Sequence, residues 1–250
     1  VRLQEGKQAI EQLLLECYLN PGISTKELAR STLLPTPVAA AIKREFIQAG
    51  ALVQDRGVRC TPDGSAWIER EWGYRGLNRS LYRDLRHDTG WAEALKDTLT
   101  VLEGLFWLRP TVDVRIDQSK CTPETSLRRA ILCLKQHALI GKNIVCVGDD
   151  DLVSVSIGLL LQRLFPAGGH TATHVQVLDI DERFLHYIES IAAERGLPIR
   201  CRRLDVRQPL PDNLHGRYDC VFTDPPYTLQ GMNLFVSRGI QALKREKGLP

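Results

Sequence analysis

Apolar residues recur with the spacing of short helices over the first part of the chain, residues 1–72. The pattern predicts three helices, the second of which begins at Ser24 with Glu27 in the spacing of a capping box. A small hairpin with its turn at residues 55–57 follows. Three helices and a hairpin favour a small winged-helix-like α+β domain, and the mixed aromatic and charged residues of 73–113 are typical of a connector.

Apolar strands alternate with amphipathic helices in the second part of the chain, residues 114–250. Four strands are predicted at 143–147, 174–178, 199–204 and 218–223, with helices at 125–137, 152–164, 182–195 and 234–244. Such alternation is typical of a parallel, doubly wound sheet with right-handed crossovers. We therefore predict an α/β catalytic domain of the Rossmann-like, methyltransferase type, whose ligand lies at the carboxyl ends of the strands.

The composition excludes several other classes of protein. Apolar residues make up 43% and charged residues 25% of the chain, as in an ordinary globular protein, and no window is apolar enough for a transmembrane span. The net charge of +3 gives no reason to expect a nucleic-acid or membrane partner. The seven cysteines form no C-x-x-C pair, which favours buried thiols in a reducing cytoplasm over disulfides or a metal site.

The third helix of the first domain would be the DNA-reading helix of a winged helix-turn-helix protein. Its first turns carry Thr36, Pro37 and Val38 followed by three alanines, where a base-reading helix presents Arg, Asn, Gln or Lys. Its basic residues, Lys43 and Arg44, come later. An accessory or dimerisation role is therefore favoured over DNA binding for this domain.

Each predicted strand of the second domain is followed by acidic residues. The first strand runs into Gly148 and three consecutive acids, Asp149–Asp151, and the next three strands run into Asp179, Asp205 and Asp224. An acid at the end of the second strand is placed to bind both ribose hydroxyls, and Asp205 is placed to accept from an adenine amino group. Because the turn lacks the G-x-G-x-x-G of pyrophosphate-binding loops, the pattern favours a nucleoside site of the S-adenosylmethionine type.

The sequence TDPPYT, Thr223–Thr228, is the most specific motif of the chain. It resembles the D-P-P-Y of methyltransferases that act on amino nitrogens of adenine or cytosine. In such a motif Asp224 accepts an N–H, so that the nitrogen lone pair faces the electrophile. The two prolines fix the backbone, and Tyr227 provides a packing face. The motif therefore predicts that the nucleophile is an amine.

The three acids of the first turn narrow the identity of the donor. They would repel the carboxylate of S-adenosylmethionine, whereas decarboxylated S-adenosylmethionine carries only a sulfonium and a primary ammonium. A polyamine acceptor is likewise a chain of ammonium groups, which a cleft of Asp149–Asp151 and Asp224 would attract. The attacking nitrogen must lose a proton, and a carboxylate at hydrogen-bonding distance could accept it.

Four runs of sequence, DQSKCTPETSLRRA, GDDDLVS, VLDIDERFL and TDPPYTLQGMNLFVSRGI, resemble the branched-chain polyamine synthases of thermophilic archaea and bacteria. The resemblance covers nearly the whole chain, because that family also has a small winged-helix-like domain before a Rossmann-like catalytic domain. It implies a homodimeric, cytoplasmic aminopropyltransferase that converts spermidine to N4-aminopropylspermidine and then to N4-bis(aminopropyl)spermidine. No cofactor is expected besides the co-substrate, decarboxylated S-adenosylmethionine. The family's sheet continues past the helix at 234–244, so further strands are expected to complete it.

The resemblance also implies which residues bind the donor. Gly148 and Asp149 would form the loop at the aminopropyl arm, and Gln118 would lie over the donor. Asp179 would hold the ribose, and Asp205 the adenine side.

Residues that bind the acceptor follow from the same resemblance. Asp150 and Asp151 would face the acceptor amine from the acidic loop, while Asp224 and Tyr227 would hold it from the other side. Three carboxylates are candidates for the general base: Asp150 is favoured, with Asp149 and Asp224 as alternatives.

Two other functions remain open from the sequence. A D-P-P-Y motif and a winged-helix-like domain would also suit a methyltransferase for amino groups of DNA or RNA. The acids of the donor loop and the lack of clustered Lys and Arg disfavour that function. A transcription regulator that senses a nucleotide with a degenerate fold would need a base-reading recognition helix, which the sequence lacks. An aminopropyltransferase acting on spermidine or a related polyamine fits all of these features.

Overall fold

The computed structural model describes residues 6–87, 90–113, 118, 121–168 and 172–245. The chain divides into two compact units, with the boundary between Arg75 and Gly76. Among the described residues, the first unit holds residues 6–75 and Arg245, and the second unit holds those of residues 76–244. Within the described residues, no helix combines the length and the apolar character that crossing a membrane requires.

The described residues of the first unit form four helices and one hairpin. Its elements are α1 (Gly6–Leu19), α2 (Thr25–Ser31), α3 (Thr36–Gln48), β1 (Leu52–Gln54), β2 (Val58–Cys60) and α4 (Pro62–Glu71). The capping box at Ser24 and Glu27 is confirmed, and β1 pairs with β2 in an antiparallel hairpin around residues 55–57. Helix α4, which was not predicted from the sequence, begins after Thr61, whose hydroxyl accepts the N–H of Gly64. The winged-helix interpretation stays a prediction.

Of the predicted connector, residues 73–113, the described residues from Gly76 onwards belong to the second unit. They form α5 (Arg79–Arg86), α6 (Trp91–Ala94) and α7 (Lys96–Leu108), and α8 (Pro123–Lys135) follows them. Leu85, Leu95 and Leu102 are fully buried, so these helices pack on the α/β core instead of standing in solvent. The many charged residues of this stretch mask its apolar face in the sequence pattern.

A four-stranded parallel sheet forms the core of the second unit. Its strands are β3 (Asn143–Val147), β4 (His174–Asp179), β5 (Ile199–Arg203) and β6 (Cys220–Thr223). They are joined by α9 (Val153–Leu164), α10 (Glu182–Arg195) and a short 3-10 turn (Asp212–Leu214), and α11 (Leu229–Ala242) follows the last strand. The order β5-β4-β3-β6 with every pair parallel confirms the predicted α/β fold. Helix α11 begins before the predicted residue 234, because the Thr228 side chain caps it.

Strand β3 lies inside the sheet and pairs with β4 on one side and β6 on the other. Val147 is opposite Leu178 in β4 and Thr223 in β6, so all three strands end at the same edge. The order of the strands along the chain reverses between β3 and β6, and α/β sheets bind their ligands outside the carboxyl ends of strands at such a point. The further strands expected after α11 lie outside the described residues.

Candidate active site

The acidic turn begins at Gly148, directly after β3. This residue has a φ of 74°, in the left-handed region that favours glycine, and its N–H donates to the carbonyl of Leu178. Leu152, at the other end of the turn, also takes a left-handed conformation with a φ of 51°, although it is fully buried. A buried leucine in this region is strained, and such strain is found at sites where the fold must present a loop in one particular shape.

Asp149 points into the protein and fixes the turn. Its carboxylate accepts the N–H of Val153 at 2.7 Å and that of Ser154 at 3.2 Å, which are the first two residues of α9. Its own backbone N–H donates to Oδ2 of Asp179 at 3.1 Å. Burial raises the pKa of Asp149 to about 8, against the hydrogen bonds from Ser154 and Val153, which lower it. Hydrogen bonds of Asp149 therefore connect the turn both to the start of α9 and to the end of β4.

Asp151 is buried and holds an ion pair. Its Oδ1 accepts the N–H of Cys121 at 3.0 Å, and its Oδ2 accepts from Nη1 of Arg129 at 2.6 Å. Asp150 is only half-buried, and its carbonyl accepts from Nη1 of Arg109 at 3.3 Å. The three adjacent acids thus have different environments, and Asp150 is the least buried of them.

The D-P-P-Y motif after β6 faces the acidic turn. Asp224 accepts from Nη2 of Arg129 at 2.9 Å through Oδ2, and from the hydroxyl of Tyr227 at 3.2 Å through Oδ1. Tyr227 is 81% exposed. The negative charge of Asp224 and its hydrogen bond raise the pKa of Tyr227, so the hydroxyl stays protonated and donates. Arg129 from α8 therefore lies between Asp151 and Asp224.

The predicted nucleoside-binding residues follow β4 and β5. Asp179 is buried and accepts the N–H groups of Asp149 and Asp181, and burial raises its pKa. Asp205 is bound by the guanidinium of Arg207, with a shortest contact of 2.6 Å, and this bond lowers its pKa to about 2. A nucleoside amino group that is to bind Asp205 must therefore share it with Arg207.

Gln118 lies near the same residues. Its Oε1 accepts the N–H of Asp113 at 2.7 Å, and its Nε2 donates to Oδ2 of Asp181 at 3.1 Å. Asp181 also caps α10 by accepting the N–H of Arg183. Both ends of the Gln118 side chain are thus engaged, which fixes it at the edge of the predicted nucleoside site.

Two pockets open at the carboxyl edge of the sheet. The larger, of about 270 Å³, has a polar side with Asp179 and Asp205 and an apolar side. Its apolar side consists of Leu178, Ile180, Leu204, Val206, Pro226, Leu234 and Phe235. We call it the nucleoside pocket.

The smaller pocket, of about 220 Å³, is lined by all three acids of the turn, Asp224 and Arg129. We call it the acidic pocket. Gly148, Asp150 and Asp224 line both pockets, so the two meet at the turn and the D-P-P-Y motif. The structure thus brings together all the predicted site residues except Tyr227, which contacts the site through Asp224.

Several residues of this site were not predicted from the sequence. Three are arginines: Arg109 binds the carbonyl of Asp150, Arg129 binds Asp151 and Asp224, and Arg207 binds Asp205. The fourth is Phe235 of α11, which lines the nucleoside pocket. Arg207 lies only two residues after Asp205, a spacing that could have revealed the pair. The pairing of Arg129 with Asp224 spans 95 residues of sequence, and no local pattern reports it.

Thiol and metal chemistry are the other possibilities at such a site. Cys121 contacts the acidic turn through Asp151, but burial and the charge of Asp151 raise the pKa of its thiol to about 12, so it is not a thiolate nucleophile. Within the part of the chain that the structure describes, we find no cluster of three or more His, Cys, Asp or Glu side chains that could hold a metal ion.

Comparison with protein families gives one clear match. Residues 99–249 match the model of the branched-chain polyamine synthase A C-terminal domain. This range is more than half of the chain and includes the acidic turn, the nucleoside-site acids and the D-P-P-Y motif.

Individual proteins give the same result. The chain is 37% identical to an uncharacterized protein of Methanocaldococcus jannaschii over 98% of this chain and 61% of that protein. It is 39% identical to the N(4)-bis(aminopropyl)spermidine synthase of Thermococcus kodakarensis over 84% of this chain and 58% of that enzyme. The chain therefore spans about 60% of the length of these relatives.

One solved structure supports the match at the level of the fold. The branched-chain polyamine synthase of Thermus thermophilus, in complex with N4-aminopropylspermidine and 5'-methylthioadenosine, aligns with a TM-score of 0.50 and 26% identity. The alignment covers 94% of this chain and 63% of that one.

Proposed function

The chain belongs to the branched-chain polyamine synthase family, and we propose from this premise that it is an aminopropyltransferase. It would move aminopropyl groups from decarboxylated S-adenosylmethionine to the secondary amine of spermidine, giving N4-aminopropylspermidine and then N4-bis(aminopropyl)spermidine. The observation that carries the proposal is the pair of pockets that meet at Gly148, Asp150 and Asp224. One pocket suits a nucleoside and the other a cation, as a reaction between an adenosyl donor and a polyamine requires.

The donor would bind in the nucleoside pocket. Its adenine would lie against the apolar wall that includes Leu178, Val206 and Phe235, with its amino group towards Asp205. Its ribose hydroxyls would donate to Asp179, which is already fixed by two backbone N–H groups. Gly148 has no side chain, so the backbone of the turn would lie close to the sulfonium, and its φ of 74° is one that favours glycine. The aminopropyl arm would then extend towards Asp150.

The acceptor would bind in the acidic pocket. Asp150, Asp151 and Asp224 contribute three carboxylates there and Arg129 one guanidinium, so these four groups leave an excess of two negative charges when all are ionised. Asp149 adds less charge at neutral pH, because its pKa is raised to about 8. Carboxylates in a cleft concentrate cations from solution and orient them. A polyamine, with several ammonium groups along one chain, fits such a cleft.

The proposed reaction is a direct displacement at carbon. The acceptor nitrogen forms a bond to the aminopropyl carbon that carries the sulfur, the carbon–sulfur bond breaks, and its electron pair leaves with 5'-methylthioadenosine. A polyamine nitrogen is protonated in neutral water, so one proton must be removed before each attack. The first transfer gives a tertiary amine and the second a quaternary ammonium. Two transfers therefore require the removal of two protons in total.

Asp150 is the general base that the geometry favours. It is half-buried and lines both pockets, so it can reach a nitrogen held between them. Asp149 points away towards α9, where its oxygens accept two backbone N–H groups. Asp224 is paired with Arg129 and Tyr227, which suits it to hold the amine by its remaining lone pairs.

The first unit would have an accessory role. Lys43 of α3 is buried, and its ammonium donates to Thr25 and Gln54 within the same unit. It is therefore turned away from any DNA that α3 could contact. We propose that the unit is winged-helix-like without reading bases, and that the protein is a cytoplasmic homodimer, as its family implies.

The test is the reaction itself. The protein is incubated with decarboxylated S-adenosylmethionine and spermidine, and the products are identified by mass spectrometry. We expect 5'-methylthioadenosine together with spermidine that has gained one and then two aminopropyl groups. A parallel incubation with S-adenosylmethionine and duplex DNA or RNA tests the amino-methyltransferase alternative. Methylated nucleic acid with no aminopropyl product would replace the proposal by that alternative.

A further inference from the structure

Arg129 is a cation in a pocket that would bind a cation. Its guanidinium donates from Nη1 to Asp151 at 2.6 Å and from Nη2 to Asp224 at 2.9 Å. The side chain of Asp151 is 6% exposed and that of Asp224 is 32% exposed, so the bridge is shielded from water on one side only. Each of the two terminal nitrogens of Arg129 thus binds a different acid.

The two acids belong to different strand ends. Asp151 lies in the turn after β3, and Asp224 directly follows β6. Those strands are neighbours, and the hydroxyl of Thr223 already donates to the carbonyl of Val147 where they end. Beyond that point the acidic turn and Asp224 line the acidic pocket. Arg129, on α8, donates to Asp151 in the turn and to Asp224 after β6. One guanidinium therefore bridges the two segments and fixes the distance between them.

The fork of an arginine is suited to this task. Its two terminal N–H groups point to two acceptors at a fixed separation in one plane, whereas a lysine ammonium is a single point of charge. The bridge occupies Oδ2 of Asp224 and leaves Oδ1 oriented by the hydroxyl of Tyr227. Both oxygens of Asp224 are thereby fixed in direction before an amine arrives.

We propose that Arg129 is a positioning residue, which sets the distance between the acidic turn and Asp224 so that the acceptor nitrogen is aimed at the donor carbon. The inference rests on the proposed aminopropyl transfer and names a residue that acts through Asp151 and Asp224 without touching the reacting atoms. Arg129 lines the acidic pocket but not the nucleoside pocket. The two acids that would hold the nucleoside, Asp179 and Asp205, are bonded to other partners. The loss of Arg129 should therefore act on turnover and acceptor use far more than on the binding of the nucleoside.

The variants Arg129→Lys and Arg129→Met separate position from charge. Lysine keeps the positive charge but cannot span both acids, while methionine keeps much of the apolar stem and removes the charge. Arg128→Lys is the matched control, because Arg128 directly precedes Arg129 in α8 and has a side chain that is 62% exposed and paired with Glu124. Each variant is assayed for kcat and for the KM of spermidine. The binding of 5'-methylthioadenosine is measured by calorimetry, and melting temperature is recorded.

We expect kcat to fall about tenfold or more in both Arg129 variants, since a misaligned nucleophile loses most of the advantage of proximity. The dissociation constant of 5'-methylthioadenosine stays within about twofold of the original value, and Arg128→Lys behaves as the unaltered protein. An Arg129→Lys variant with the original kcat and KM would overturn the proposal, because charge alone would then suffice. The proposal would also be overturned if both Arg129 variants bound 5'-methylthioadenosine as much more weakly as they turned over more slowly, and if their melting temperatures fell as well. The bridge would then be merely structural.

The outcome for the unaltered protein distinguishes this proposal from the one it rests on. If the unaltered protein transfers no aminopropyl group, the proposed function fails, and the role of Arg129 fails with it. If it transfers the group and Arg129→Lys does so equally well, only the role of Arg129 fails.

Discussion

Asp149 donates its backbone N–H to the Oδ2 oxygen of Asp179 across 3.1 Å, so the acidic turn after β3 is bonded to the end of β4. One of these residues belongs to the loop predicted to receive the aminopropyl arm, and the other is the acid predicted to hold the ribose. Because the contact runs through a backbone group, it fixes the path of the turn whatever side chain stands at position 149. The acidic turn, which would hold the aminopropyl arm, is thus bonded directly to Asp179, which would hold the ribose.

Replacement of the ribose acid should weaken donor binding. In Asp179→Ala we expect the dissociation constant of 5'-methylthioadenosine to rise by about tenfold or more, the equivalent of about 1.4 kcal/mol. The N–H groups of Asp149 and Asp181 also lose their acceptor, so the melting temperature should fall. Calorimetry and kinetics at saturating donor separate the two effects. A variant with intact nucleoside binding and only a lower kcat would contradict the ribose assignment.

Replacement of the favoured general base should remove turnover and spare the fold. We expect Asp150→Asn to lower kcat by about 10²–10⁴, the usual contribution of a positioned base, with little change in melting temperature. The control is Asp97→Asn, which alters an exposed acid of α7 in the same unit outside both pockets. Steady-state assays of aminopropyl transfer compare kcat in the variant, the control and the unaltered protein. A fully active Asp150→Asn variant would exclude this residue as the base.

The buried Asp149 should make stability depend on pH. Its pKa is raised from 3.8 to about 8 in the folded protein, chiefly by burial, so the folded state holds this proton more tightly than the unfolded state does. The free energy of unfolding should therefore decrease as pH rises from about 4 to about 8, by at most about 1.4 kcal/mol per pH unit from this group. Asp179 contributes in the same direction, since its pKa is raised too.

The variant Asp149→Asn isolates that contribution. An asparagine cannot ionise, yet its carbonyl oxygen can still accept the N–H of Val153. We expect urea denaturation between pH 5 and pH 8 to show a shallower slope in the variant than in the unaltered protein, with the remainder due to Asp179. Identical slopes in the two proteins would show that Asp149 is ionised throughout this range.

Two glycines in helices provide a matched pair of substitutions. A Cβ at Gly231, in the first turn of α11, would lie 2.5 Å from Cβ of Pro226 in the D-P-P-Y motif. A Cβ at Gly104, in α7, meets nothing within 4 Å. Gly104→Ala should therefore stabilise the protein by about 0.5–1 kcal/mol, as is usual for a helix interior.

The variant Gly231→Ala should have the opposite effect. The first turn of α11 must move away from Pro226, which shifts both the nucleoside pocket and Asp224. We expect weaker binding of 5'-methylthioadenosine and slower transfer, together with a lower melting temperature. Unchanged binding and stability in Gly231→Ala would mean that the D-P-P-Y segment tolerates displacement, and that its exact position does not control the reaction.

Local signals in the sequence account for much of the fold. Strand β3 was predicted with its observed bounds, because an unbroken apolar run ends at a glycine. Helix α10 was also predicted with its observed bounds, since Asp181 caps its beginning and Gly196 takes a left-handed conformation at its end. The start of α11 was missed because its first turn carries no apolar periodicity towards the core, with Leu229 and Met232 exposed.

The members of the candidate site were predictable, but their mutual contacts were not. Acids after parallel strands must meet at one edge of the sheet, so Asp149–Asp151, Asp179, Asp205 and Asp224 could be grouped from sequence alone. What each acid does depends on which basic or backbone group faces it. Asp149 is satisfied by the start of α9 and Asp151 by Arg129, which lies on another helix. Such pairings follow from tertiary packing, which a periodicity of apolar residues does not encode.

The acidic turn is proposed above all to select a donor without a carboxylate. Calorimetric titration of the protein with decarboxylated S-adenosylmethionine, and separately with S-adenosylmethionine, measures this selection directly. We expect the decarboxylated donor to bind about tenfold or more tightly than S-adenosylmethionine, because Asp150 attracts its ammonium. The carboxylate of S-adenosylmethionine would find no compensating cation in Arg129, since that guanidinium is already paired with Asp151 and Asp224. Equal affinities, or tighter binding of S-adenosylmethionine, would contradict this selection and favour methyl transfer to an amino group.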